Sequence, residues 1–178
     1  MTPSEPYASI LDLATTLQRG DAGVSMWKEF ERTMGLAFGH KLFTVLAYDS
    51  KRQLMRRLYS NREDVSPTGG AKAVTDSPWT RKVLRDGQFH MGASREDIKV
   101  FSEYERLWAI GCESTFNIPV RKGGVTVGTI NLLDAAHRYD QASEAAAMVF
   151  AQFAADTLAG FLANAPDIAG DASKLEHV

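Results

Sequence analysis

The sequence has a single cysteine, Cys112, no excess of positive charge and no apolar run that reads as a membrane span. Each shortage excludes something. One thiol cannot close an internal disulfide, and it cannot build a cysteine-based metal site by itself. With 20 Lys and Arg against 22 Asp and Glu, the net charge is −2, so the basic stripe of a nucleic-acid binder is missing. No membrane association is expected. The opening Met-Thr-Pro-Ser-Glu-Pro has no basic stretch followed by an apolar one, so no export signal is expected, and a cytoplasmic location fits the lone thiol. His40, His90, His137 and His177 are too scattered for a metal cluster, and no metal site is expected. Gly69-Gly70 does not follow a strand and open a helix with the lysine of a phosphate-cradling loop. Internal repeats and low-complexity segments are also absent.

What is present is an ordinary apolar fraction in a chain sized for one domain, which should bury about 70% of its unfolded surface. Two strands stand out, 115–120 and 125–134, joined by Arg121-Lys122-Gly123-Gly124. The Gly-Gly pair supplies the positive φ angles of a tight hairpin turn. Pro119 has no N–H for a ladder and belongs at an edge, a bulge or a strand end. Gly128, in mid-strand, implies close approach of a packed group.

Apolar spacing predicts helices over 6–18 and about 24–38, the latter stopping near Gly39. A hairpin of strands follows, 42–48 and 53–60. Residues 61–75 lack periodicity and read as loop. Asp76 or Ser77 can cap a helix with Pro78 at its first position. A short strand is expected over 88–91, one helix from Ser94 or Arg95 through Trp108, and a long final helix from Asp140 to about Asn164. The order is α-α-β-β-α-β-α-β-β-α. Hairpins at both ends of the strand set predict an α+β fold: a central, mostly antiparallel sheet of five to six strands with helices on both faces. Residues 1–23 form an N-terminal helix belonging to the domain or to a dimer bundle, 24–164 the domain itself, and 165–178 a flexible tail.

Gly111-Cys112-Glu113-Ser114, Asn117-Ile118-Pro119-Val120, Gly123-Gly124 and Val127-Gly128-Thr129-Ile130-Asn131-Leu132-Leu133-Asp134 together resemble the GAF-domain pattern. The segment 77–87 is similar to that family's helix before its third strand, and the resemblance runs from about Trp27 to Leu162. It implies a sheet with the first, second and last helices on one face and a small pocket roofed by short helices and loops on the other. It also implies a sensory or regulatory role, with a small-molecule ligand of unknown identity and no named cofactor. No second domain is apparent, so the output is expected from a separate chain or from the domain acting alone.

The roofing segment 61–111 holds Trp79, His90, Tyr104 and Trp108, and Tyr59 precedes it. Aromatic walls with a few polar groups suit a pocket, although large rings also dominate ordinary cores. The candidate ligand-binding residues are Tyr59, Trp79, His90, Trp108, Cys112, Ser114, Asn117 and Asn131. With pairing centred on Gly123-Gly124, Asn117, Thr129 and Asn131 are expected to share strand parity and to present one polar patch. Cys112 has three readings: a buried small hydrophobe, a pocket residue or a reactive thiol, the last opposed by Glu113 beside it. Arg56 and Arg57 point to opposite faces of a strand, and solvent is expected for both. The charges from Arg95 to Arg106, Glu103 among them, read as a solvated helix face.

Some relatives in the GAF family reduce free methionine sulfoxide with a cysteine pair. Others hold a bilin through a cysteine followed by histidine, or a cyclic nucleotide with an Asn-Lys-Phe-Asp-Glu signature. None of these patterns is present, and no catalytic residue is assigned. A non-catalytic sensing or regulatory domain is the leading expectation. A small redox enzyme and an interaction module with a vestigial pocket are the alternatives. Broad apolar stripes on the first and last helices predict a homodimer through the terminal helices.

Overall fold

A computed structural model describes residues 6–165 and 176–177. The elements are helices α1 (Pro6–Gln18) and α2 (Gly23–Phe38), strands β1 (Leu42–Asp49), β2 (Leu54–Ser60) and β3 (Ala71–Ala73), and helix α3 (Pro78–Thr80) continuing into a π-helical turn, Arg81–Arg85. Then come β4 (His90–Gly92), α4 (Arg95–Ile98), α5 (Tyr104–Ala109), β5 (Ser114–Lys122), β6 (Val125–Asp134), α6 (Glu144–Asn164) and β7 (Glu176–His177). Strands β4-β5-β6-β1-β2-β3 lie side by side in that order, all antiparallel, and β7 adds a two-residue parallel pairing on β3. This is the α+β architecture expected from the strand pattern.

Strand alternation divides the sheet into two faces. Phe43, Val45, Phe116, Ile118, Val120, Ile130 and Leu132 face α2 and α6, whose Phe30, Met34, Phe150, Ala154 and Leu158 complete a fully buried layer with Leu13 of α1. Each large side chain there contributes about 1.5–3 kcal/mol relative to exposure. Helix α6 is long and apolar enough to cross a membrane by length and composition. That differs from the sequence expectation, but Ala147, Phe150, Ala151, Ala154 and Leu158 are packed inside the protein, as in a core helix. The opposite face carries Leu42, Leu46, Met55 and Leu133 under Trp79, Val83, Ile98, Phe101 and Leu107.

The β5–β6 hairpin has its turn at Gly123 and Gly124, with φ of 59° and 79°. Strand β4 pairs only with Thr115–Asn117, so Pro119 lies beyond it, next to a register shift at Val120/Arg121. At Gly128 a Cβ would overlap the Leu46 carbonyl oxygen and come within 2.7 Å of Leu158 Cδ1.

Three local expectations are corrected. The 61–75 loop contains β3, a strand too short to show periodicity. The single helix expected over 94–108 is two, α4 and α5, with Lys99–Glu103 between them. The last helix begins at Glu144, where Ser143 Oγ accepts from Ala146 N at 3.2 Å. Most of the expected flexible tail, 166–175 and 178, lies outside the described residues, as do 1–5.

Candidate ligand pocket

The pocket floor is a row of polar side chains crossing the sheet. Antiparallel pairing sets Thr44 opposite Asn131, and Asn131 opposite Asn117. Directly paired residues share a face, so the three meet on the roofed side. Asn117 Nδ2 donates to Asn131 Oδ1 at 2.8 Å, and Asn131 Nδ2 donates to Thr129 Oγ1 at 3.1 Å and to Thr44 Oγ1 at 3.3 Å. The network is buried.

Trp79 closes the row from above. Its indole Nε1 donates to Asn117 Oδ1 at 3.1 Å. The ring is placed by a capping box: Thr80 N donates to Ser77 Oγ at 3.2 Å, and Ser77 N donates to Thr80 Oγ1 at 2.9 Å. An N-cap of this kind is worth about 1 kcal/mol. Phe101 meets Trp79 edge-on at 5.9 Å between ring centroids.

The other end of the pocket is charged. Arg57 of β2, Lys72 of β3 and Glu103 before α5 are all buried. Lys72 Nζ donates to Glu103 Oε1, Arg57 Nη2 stands 3.8 Å from the same oxygen, and Arg57 Nη1 donates to the Pro67 carbonyl at 3.0 Å. Burial pushes the Glu103 carboxyl up, but the charge and hydrogen bond of Lys72 outweigh it and hold Glu103 below the usual carboxylate range. The expectation of solvent for Arg57 and for Glu103 is thus corrected: β3 and the α4–α5 connection cover both.

These two ends and the apolar walls line a half-open pocket of about 40 Å³, room for roughly three or four waters. That is far below the ~300–1,000 Å³ of sites for drug-sized ligands. Outside Trp79 a wide surface groove runs past Asp76, Arg81 and Arg85. Its guanidinium groups are already held by Asp76 and Asp86. Among the described residues no group of three or more metal-ligating side chains occurs.

Of the eight candidate residues, the structure gathers Trp79, Asn117 and Asn131 at this cavity. Tyr59 lies on the helix side, its hydroxyl donating to Glu31 Oε2 at 2.5 Å. A register shift explains this: Val45 pairs with Tyr59 but Leu46 pairs with Arg57, so Leu58 is an extra residue and reverses the parity of β2. His90 extends the polar row from β4, opposite Asn117. Burial, then the charge of Lys82, lower its pKa, and its Nε2 is buried without a hydrogen-bond partner. It does not line the cavity. Trp108 sits under Arg95 and Lys99, 5.6 Å and 6.0 Å from its ring centroid. Ser114 Oγ donates to the Ala135 carbonyl at 2.6 Å, a structural tie at the start of β5. Cys112 is fully buried among apolar side chains, and burial pushes its thiol up to about 12. The residues missed from sequence are chiefly Arg57, Lys72 and Glu103. The one available signal was the adjacent pair Arg56-Arg57, which puts one charge on each face of β2.

No family model matches the sequence, and no curated protein matches it. Solved structures do match in fold. The GAF domain of an Acinetobacter phosphoenolpyruvate-protein phosphotransferase is 12% identical, covers 88% of this chain and 96% of its own, and superposes with a TM-score of 0.65. The chromophore-binding domain of a bacteriophytochrome from R. palustris is 11% identical, covers 88% of this chain and 61% of its own, and has a TM-score of 0.65. A type II free methionine-R-sulfoxide reductase from Thermoplasma acidophilum is 12% identical, covers 67% of this chain and 79% of its own, and has a TM-score of 0.54. At such identities the likeness is one of fold: this chain has the α+β architecture of solved GAF domains.

Proposed function

We propose that the chain is a sensory or regulatory domain of the GAF type that takes a small polar ligand in the cavity between its sheet and its roof. The observation that carries this reading is the buried row Thr44–Asn131–Asn117–Trp79, which lines one pocket together with the buried charges of Arg57, Lys72 and Glu103. Burying polar groups costs free energy unless they are bonded, and a packed apolar face would be cheaper to build. A ligand exchanging hydrogen bonds with this row accounts for its presence. The same strands carry Phe116, Ile130 and Leu132 on their other face, so a shift in β5 or β6 on binding reaches α6 directly. The bacteriophytochrome neighbour, whose solved part is described as chromophore-binding, supports a sensing role by analogy of fold.

A reductase reading finds less support. Cys112 lies outside the cavity lining, and with its thiol pushed up to about 12 it holds almost no thiolate near neutral pH. Native mass spectrometry of freshly purified protein, with a thermal-shift screen of a metabolite panel, tests the proposal. It expects a co-purifying small molecule or a saturable rise in Tm. No adduct and no shift across the panel would overturn it.

A further inference from the structure

The surface groove outside Trp79 gathers several irregular parts of the fold. The β1–β6 pairing ends at Ala47 and Gly128. From there β1 runs on with β2 to Asp49, and Val125 and Thr126 pair only with β5. The two hairpins thus part, and the turn Arg81–Arg85 walls the gap between them. That turn is π-helical, its Asp86 N–H donating to the Arg81 carbonyl at 2.9 Å, a rare geometry that is frequent at functional sites. Across the gap Gln53 has a φ of 52°, uncommon for a residue with a side chain. Thr126 lines the groove, is 3% exposed, and its Oγ1 has no hydrogen-bond partner among the described residues. An unmet buried hydroxyl costs free energy, and one staggered step about χ1 exchanges it with the methyl group. The groove holds about 610 Å³, within the ~300–1,000 Å³ of ligand sites.

Its walls carry donors and acceptors side by side with their charges balanced. Arg81 donates to Asp76 through Nε and Nη2 at 2.5 Å and 2.6 Å. Nη1 keeps two donors, and each carboxylate oxygen keeps a further lone pair. Arg85 is matched by Asp86 in the same way. Tyr48 Oη accepts from Gln53 Nε2 at 3.0 Å and has its own proton to donate. We infer that this groove binds a neutral, hydroxyl-rich small molecule, a sugar or polyol, that bridges the Asp76–Arg81 pair and Thr126. A hydroxyl donates and accepts from one oxygen, so neighbouring sugar hydroxyls can accept from Arg81 while donating to Asp76, and another can meet Thr126 in either role. An anion would have to compete with the carboxylates for guanidinium groups they already hold. The groove shares no lining residue with the cavity beneath Trp79, so a ligand here is independent of one there.

The test is calorimetry and ¹⁵N amide shifts on the full chain with glucose, maltose and trehalose, against glucose 6-phosphate and the blocked peptide acetyl-Val-Thr-Val-amide. At least one neutral sugar should bind saturably and move the amides of Thr126 and of the turn Arg81–Arg85. Thr126→Val should weaken that binding about three- to tenfold, the effect of one hydrogen bond, and Asp76→Ala, at an exposed position, should do likewise. Because the Thr126 hydroxyl is unmet, Thr126→Val should keep or raise Tm. A fall in its Tm, or failure to fold, would show that the hydroxyl already has a partner and overturn the premise. Glucose 6-phosphate binding tenfold tighter than glucose overturns the neutral class, and binding of the peptide without any sugar makes the groove a peptide surface instead. Sugar binding unchanged in either variant, shifts confined to other residues, or no saturable response to any sugar overturns the assignment. In each of those cases the Trp79 cavity keeps its own test, because its ligand is read at a different set of residues.

Discussion

Replacing Glu103 by Gln removes the only carboxylate that lines the cavity among the described residues and takes from Lys72 the counter-charge it is paired with. Breaking a buried pair from one side costs about 3–5 kcal/mol, a large part of the ~5–15 kcal/mol that holds a domain folded. For a chain of this size that corresponds to a fall in Tm of roughly 6–20 °C. Lys72→Met alone should cost less, because Glu103 keeps Arg57 as a partner 3.8 Å away. The double variant should be more stable than the sum of the singles implies, by about 0.5–3 kcal/mol. The pH dependence has a definite sign. The folded Glu103 has a pKa below its ordinary 4.5, so its contribution is complete above about that pH and is lost as the pH falls through the lower folded value. The gap between the unaltered chain and Glu103→Gln should therefore narrow toward acid. Urea unfolding followed by circular dichroism at pH 7 and pH 4 measures all of this. A cost below about 1 kcal/mol at pH 7, with strictly additive singles, would show that the charges are solvated and that the cavity's charged end is not as described.

Three further outcomes are expected. Gly128→Ala should lose roughly 1–3 kcal/mol in the same urea assay, because the new methyl group meets the Leu46 carbonyl and Leu158. Cys112 should react with a thiol reagent at pH 8 only as fast as the protein opens, so its rate should track denaturant and not free-thiol chemistry. We propose that the exposed Tyr7, Leu11, Met148 and Val149 on α1 and α6 form a homodimer face. Light scattering should then give twice the chain mass, and Met148→Glu should return it to the monomer.

Much of the frame was legible in the sequence because local rules govern it. The Gly123-Gly124 turn sets Lys122 opposite Val125, but it is the register shift at Val120/Arg121 that brings Asn117 opposite Asn131; a register centred on the turn alone would have paired Asn117 with Ile130. Ser77 and Pro78 announced the turn that delivers Trp79. The cavity's charged end was illegible for a physical reason. Arg57, Lys72 and Glu103 meet through a three-residue strand and a break between two short helices, neither long enough to show a period. Tyr59 was misleading because an extra residue at Leu58 reverses the strand, and no side-chain pattern marks such a shift.

The central claim is that a sheltered cavity on the roofed face of the sheet is where a ligand acts. The indole N–H of Trp79 reports on it directly, because its hydrogen bond to Asn117 forms the cavity's edge, whereas Trp27 is buried in the helical layer on the other face. In a ¹⁵N-labelled chain, with the Trp79 signal assigned by Trp79→Phe, titration with the metabolite that gives the largest rise in Tm in the screen should move that signal saturably and leave Trp27 in place. A saturable shift of Trp27 alone, or no shift at any indole while binding is measured by calorimetry, would contradict the account.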